Sequence, residues 1–172
     1  MVNDPNWRLP EVPSFTLESP DFADGEFLPD WARADSGNRS PALSWSGAPA
    51  GTKSFALTLY DPDAPTGSGF WHWAVYNIPA ETTGLPAGSG NPATADLPPG
   101  AVTVPNELRG EEFTGAAPPP GDGQHRYFFT LSALDIGELD VPVDATPAVL
   151  GFLLRGNIIG RAQLMGLAET PA

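Results

Sequence analysis

Hydrophobic positions recur with a period of two in several short stretches of the chain. In SFALTLY (54–60), Phe55, Leu57 and Leu59 alternate with Ser54, Ala56, Thr58 and Tyr60, which predicts a strand with one apolar face. HWAVYNI (72–78) is apolar on both faces, the pattern of a strand in mid-sheet. HRYFFTLSALD (125–135) predicts another strong strand, with His125, Tyr127, Phe129 and Leu131 on one face. Shorter strands are predicted in PSFTLES (13–19), ALSWSG (42–47) and AVTVPNEL (101–108). The pattern changes near the C-terminus, where DATPAVLGFLLRGNIIGRAQLMGL (144–167) predicts a helix with Thr146 as N-cap and Pro147 in the first turn. Gly151, Gly156 and Gly160 weaken that helix by about 1 kcal/mol each relative to Ala. They suggest a backbone pressed against a neighbour. Residues 79–124 form a long irregular stretch ending in GAAPPPGDGQ (115–124), and such loops tend to carry function or hide strands.

Composition sharpens this picture. With 21 Pro and 19 Gly among 172 residues and 41% hydrophobic content, many turns and few long helices are expected in a β-rich globular fold. Residues 1–12 read as a polar N-terminal arm, and no repeat or linker divides residues 13–172, which are expected to form a single domain. The net charge of −13, with Lys53 the sole lysine, argues against nucleic acid and anionic membrane surfaces as partners. The absence of cysteine excludes disulfides, thiolate metal sites and a Cys nucleophile. The N-terminus shows no charged segment followed by an apolar run, and no run approaches the roughly 20 apolar residues of a membrane helix. A soluble, cytoplasmic protein without membrane insertion is expected.

The candidate chemistry gathers in YDPDAPTGSGFWHW (60–73) and around the second histidine. His72 and His125 each stand where a Pro/Gly-rich loop meets a strand, and Asp61 and Asp63 follow the end of another strand. His125 and Tyr127 are i and i+2 on one strand face, roughly 7 Å apart. An imidazole beside a phenol suits the oxygens of an anion. A neighbouring carboxylate would raise an imidazole pKa and strengthen it as a donor. The aspartates equally suit Asx turns in a Pro-rich loop. Two histidines and a carboxylate would also make a metal triad, but no local His-x-His or His-x-x-x-His spacing supports one, and no metal is expected. Gly67-Ser68-Gly69 is too short for a nucleophile elbow.

Three motifs in order, DPDAP (61–65), WHW…NIP (71–79) and GDGQHRYFF (121–129), resemble the phosphatidylethanolamine-binding protein family, including the Raf kinase inhibitor-like proteins of bacteria and archaea. SPALSWSGAPAGTKSFALTLY (40–60) and NIIGRAQLMG (157–166) are similar as well, so the resemblance spans about residues 13–167. It implies an all-β fold: a large antiparallel Greek-key sheet packed on a smaller sheet, with a few peripheral helices and a C-terminal helix. It also implies a small anion pocket at one end of the large sheet, built from Asp61, Asp63, His72, His125 and Tyr127. A backbone amide near Ala117 and Pro118 would contribute too. Prolines in these loops can be cis in the family, which makes Pro65 and Pro119 candidates for a cis bond here. The chain departs from the family in EFTGAAPPP (112–120), where Phe113 replaces a common Tyr and Ala116-Ala117 replace Pro-Cys. Asn157 stands where many members carry His.

The function expected is a non-enzymatic binding protein for phosphate-like groups or phospholipid headgroups such as phosphoethanolamine, without a cofactor. Both histidines and Tyr127 would donate to the anion. Regulation of a partner protein, a serine protease or a kinase, is the alternative implied by the resemblance. Metal-assisted hydrolysis is a third reading. A homodimer is compatible with the resemblance.

Overall fold

The computed structural model describes residues 8–94 and 96–172; most of the expected N-terminal arm, residues 1–7, lies outside them. The period-two stretches are strands, as their patterning requires. In chain order they are β1 (Thr16–Glu18), β2 (Leu43–Ser46), β3 (Ser54–Asp61), β4 (Phe70–Pro79), β5 (Gly84–Leu85), β6 (Val102–Thr103), β7 (His125–Leu134) and β8 (Ile158–Ala168). Among the described residues, one α-helix, α1 (Pro147–Leu154), precedes β8, and a short 3-10 helix spans Asp30–Ala32 between β1 and β2.

Five strands form a large sheet in the order β6-β4-β3-β7-β8, and three form a small sheet in the order β1-β2-β5. Every pairing between these strands is antiparallel. β3, β4 and β6 lie side by side, and β7 returns after a long connection to sit beside β3. That is the Greek-key order the family resemblance implies. The main core fills the space between the sheets. Leu57, Leu59, Trp73, Val75, Phe129 and Leu131 of the large sheet meet Leu17, Leu43, Trp45 and Leu85 of the small one. The outer face of the large sheet carries a smaller apolar patch, mainly on β4 and β7 with Ala56 of β3, and this needs a cover as well. Leu150 and Leu154 of α1, with Val141 and Ala145, supply it over Ala56, Ala74 and Leu134.

The C-terminal helix is shorter than its sequence suggests. Thr146 caps it, its hydroxyl accepting from the Val149 amide at 3.3 Å, and Pro147 opens it. It ends at Leu154, and Ile158–Ala168 is a strand paired along β7. The reason lies in the small inward-facing residues of β8. Gly160, Ala162, Gly166 and Ala168 alternate with larger outward ones, and a Cβ at Gly160 would stand 2.7 Å from the Pro49 ring. One at Gly166 would stand 2.5 Å from the Leu28 side chain. Close approach therefore holds for these two glycines, but within a strand. Gly151 and Gly156 meet nothing within 4 Å. Asn157 sits in the tight turn between α1 and β8, its amide bonded to the Leu154 carbonyl at 2.9 Å. No cis peptide bond occurs among the described residues, so Pro65 and Pro119 are trans.

The antiparallel order places the site. With β4 and β7 flanking β3, the C-terminal end of β3 lies at the same sheet edge as the first residues of β4 and β7. Asp61, Phe70–His72 and His125–Tyr127 are thereby brought together from three separate parts of the chain.

Candidate functional site

At that edge lies a cavity of about 390 Å³, within the range typical of small-molecule sites. Asp61, His72, Ala117, His125 and Tyr127 line it, together with Pro65, Phe70, Leu108, Thr114 and Pro119. Five of the seven residues expected from the sequence therefore share one cavity wall. Asp63 and Pro118 are not in it.

Asp61 is 2% exposed and uses both carboxylate oxygens. Oδ1 accepts from the Asp63 and Ala64 amides at 2.8 and 3.1 Å, an Asx turn that shapes the DPDAP loop. Oδ2 accepts from His125 Nδ1 at 2.8 Å. The turn reading and the imidazole-orienting reading are thus both fulfilled by one side chain.

Asp63 points elsewhere. It forms a side-on bidentate pair with Arg126, with Nε to Oδ2 at 2.8 Å and Nη2 to Oδ1 at 2.7 Å, and also accepts the Arg126 amide at 3.0 Å. These hydrogen bonds from Arg126 hold its carboxyl below the usual range. Its role is to tie the DPDAP loop to the start of β7. Asp63→Asn should cost about 1–2 kcal/mol of stability at pH 7, read by urea unfolding. A depressed folded pKa means the contribution is present above the ordinary carboxylate value, about 4, and is lost as pH falls through the folded value. Wild type and variant should therefore converge toward about pH 2. A gap that persists in acid would assign the effect to something other than this ion pair.

His125, also 2% exposed, is held at both nitrogens, Nδ1 by Asp61 and Nε2 by Asp122 at 3.0 Å. Burial pulls its pKa down, but hydrogen bonds to Asp61 and Asp122 outweigh this and raise it. His72 behaves oppositely. Burial lowers its pKa, against a partial gain from the Thr114 carbonyl. That carbonyl, 2.8 Å from Nδ1, can only accept, so Nδ1 carries the proton. In neutral His72, Nε2 is then an acceptor. The expected pair of donating histidines is corrected on this point: His125 donates but is already engaged, and His72 donates to a ligand only once protonated.

Tyr127 is 1% exposed, packed edge-on to His72 with ring centroids 5.1 Å apart. Its hydroxyl is buried without a hydrogen-bond partner. Burial, reinforced by the Asp61 charge, raises its pKa. The Ala117 amide and Asp61 lie near enough to influence the hydroxyl, yet neither meets hydrogen-bond geometry. Orphaned buried hydroxyls are uncommon and costly.

Asp122 is the residue the sequence reading missed. It sits between Gly121 and Gly123, both at positive φ (76° and 87°), with its side chain 41% exposed. The signal was available: an acidic residue in a Gly-Asp-Gly turn, three positions before a singled-out histidine. The Thr114 carbonyl carried no such signal, since any residue supplies one. No group of three or more potential metal ligands occurs among the described residues. No helix among them is long and apolar enough to cross a membrane.

Comparison with known proteins gives one consistent result. The family model described as "Phosphatidylethanolamine-binding protein" matches residues 18–169. The chain is 44% identical over 156 residues to protein YbhB of Escherichia coli K12, covering 88% of this chain and 98% of that one. It is 47% identical over 135 residues to protein YbcL of the same organism, covering 78% and 74%. The crystal structure of E. coli YbcL, described as a new member of the mammalian PEBP family, superposes with a TM-score of 0.87 over 91% of this chain and 98% of that chain, at 43% identity. A carboxypeptidase Y inhibitor solved in complex with its cognate proteinase shares the fold at 22% identity and a TM-score of 0.56, over 92% and 84%.

Proposed function

This chain belongs to the phosphatidylethanolamine-binding protein family, and from that premise we propose that its cavity captures a phosphate-like anion, free or as a phospho-headgroup, without transforming it. The observation that carries this reading is the orphaned Tyr127 hydroxyl beside His72 and His125. A buried hydroxyl with no partner lowers stability, so its presence favours a ligand that completes it. An oxyanion does so as acceptor. His125 is positively charged over a widened pH range and donates a charge-assisted bond once Nε2 is released. His72 Nε2 accepts from a protonated phosphate oxygen or an ammonium, or takes up a proton and donates.

The wall's hydroxyls do not favour catalysis. Thr66 Oγ1 donates to the Gly69 carbonyl, and Thr114 Oγ1 accepts from Asn106 Nδ2 at 2.8 Å. Neither is paired with a histidine as nucleophile and base. Regulation of a protease or kinase stands second, because the inhibitor that suggests it shares only the fold with this chain.

Tyr127→Phe is the discriminating variant. It should unfold at or above the wild-type urea midpoint, since an unpaired polar atom is removed. Its affinity for inorganic phosphate and phosphoethanolamine, measured by calorimetry, should fall roughly three- to tenfold. Unchanged affinity for both ligands would remove the support for an anion site.

A further inference from the structure

We propose that the groove between α1 and the outer face of the large sheet is a second ligand site, for a small molecule joining an apolar body to a carboxylate, with Arg161 as its anchor. The groove has a volume of about 370 Å³ and lies on the opposite face of the sheet from the main core. Trp71, Pro147, Phe152 and Leu154 give it apolar walls. Thr58, Ser132 and Arg161 form a polar end. Their grouping follows from register: Ser132 pairs directly with Arg161, and Thr58 with Thr130, so these side chains project from one face. A second hollow, about 380 Å³, shares Tyr60, Trp71, Pro147 and Ala148 with the groove and extends it along the sheet.

Arg161 is the unexplained feature there. Its Nη1 donates to the Pro10 carbonyl at 3.3 Å, but Nε and Nη2 are buried with no partner. Nε and Nη2 make up the side-on edge of a guanidinium, the edge that grips a carboxylate through two parallel bonds. The same chain shows it in use, where Arg126 presents Nε and Nη2 to Asp63. In Arg161 that edge is desolvated and unmatched, and burial lowers its pKa in consequence. The residue as a whole is only partly buried, but leaving two nitrogens of a charged group buried and unmatched costs stability. An anion entering the groove would relieve it once the side chain rotates about its flexible stem, because both nitrogens are covered in the present rotamer. The apolar walls favour a hydrocarbon body over a bare inorganic ion.

The test uses decanoate and decanol as probes in calorimetric titrations of the full chain. Decanoate should bind saturably and about tenfold or more tightly than decanol, the difference expected of a charge-assisted bidentate contact. Arg161→Met should remove that advantage and leave phosphate affinity at the first cavity unchanged. Gly151→Leu, placed on α1 where a Cβ meets open space, should fill the groove and weaken both probes. It also keeps the test decisive if Arg161→Met fails to fold. Equal binding of the two probes, no uptake of decanoate, or displacement of decanoate by phosphate would overturn the proposal. So would a wild-type dimer that Gly151→Leu disperses, which would assign the groove to a second copy of the chain.

Discussion

Asp61→Ala should abolish measurable phosphate binding and lower stability by about 3–5 kcal/mol, the range found when one partner of a buried pair is removed. No other side chain in the cavity holds so much in place. One oxygen closes the DPDAP turn through two amides, and the other fixes the ring of His125. Without it, the turn loses its internal acceptor and His125 loses the bond that sets its orientation. Calorimetry with inorganic phosphate reads the first effect and urea unfolding the second. The pH dependence has a defined sign. A raised folded pKa at His125 contributes stability that is fully present below its unfolded value, about 6.5, and is lost as pH rises through the folded value. The gap between wild type and Asp61→Ala should therefore be widest at about pH 6 and narrow on the alkaline side. Asp61→Asn separates the two roles, because its amide oxygen can still accept from the loop amides while the charge facing His125 is gone. Asp61→Ala binding phosphate within about twofold of wild type would remove Asp61 from the site.

Asp122→Ala should act in the opposite direction, tightening phosphate binding by roughly ten- to a hundredfold at low ionic strength. The Asp122 carboxylate stands 3.0 Å from His125 Nε2, where an incoming oxyanion would have to sit. A phosphate must displace it and still lie beside its charge. Two like charges about 4 Å apart repel by about 1 kcal/mol in water and about 4 kcal/mol at the effective dielectric of a protein surface, which brackets the expected gain. Because the side chain is 41% exposed and its turn is carried by two glycines, little stability should be lost. Salt should shrink the difference between variant and wild type. In the same variant the His125 pKa should fall, which proton-detected titration of the ring would register. Weaker phosphate binding in Asp122→Ala would show instead that Asp122 supports the site, and would reverse its assigned role.

The contrast between Asp61 and Asp63 shows how far sequence reasoning reaches into the site. Both carboxylates follow β3 in one loop and look equivalent in the chain. Only Asp61 faces the cavity, because Arg126, the residue between His125 and Tyr127, turns its side chain away from it and draws Asp63 along. Strand alternation predicts that Arg126 faces away from His125, but nothing local predicts its partner. The helix tells a related story. Thr146 and Pro147 are local signals and mark its start correctly. Its end is decided by Gly160 and Gly166 meeting Pro49 and Leu28, residues more than a hundred positions earlier.

What the chain determined alone was everything written in short-range periodicity and turn chemistry: the long strands, their apolar faces, the helix cap, and the placing of both histidines at loop–strand junctions. These depend on backbone sterics and on which side of a strand a residue occupies. The tertiary structure decided which ionisable groups meet. It gave Asp61 to His125, Asp63 to Arg126 and Asp122 to the remaining imidazole nitrogen, left the Tyr127 hydroxyl and two of the Arg161 nitrogens without hydrogen-bond partners, and fixed the proton of His72 on Nδ1. Burial, charge and hydrogen-bond geometry are properties of neighbours in space, and antiparallel pairing brings those neighbours from segments that share no local signal.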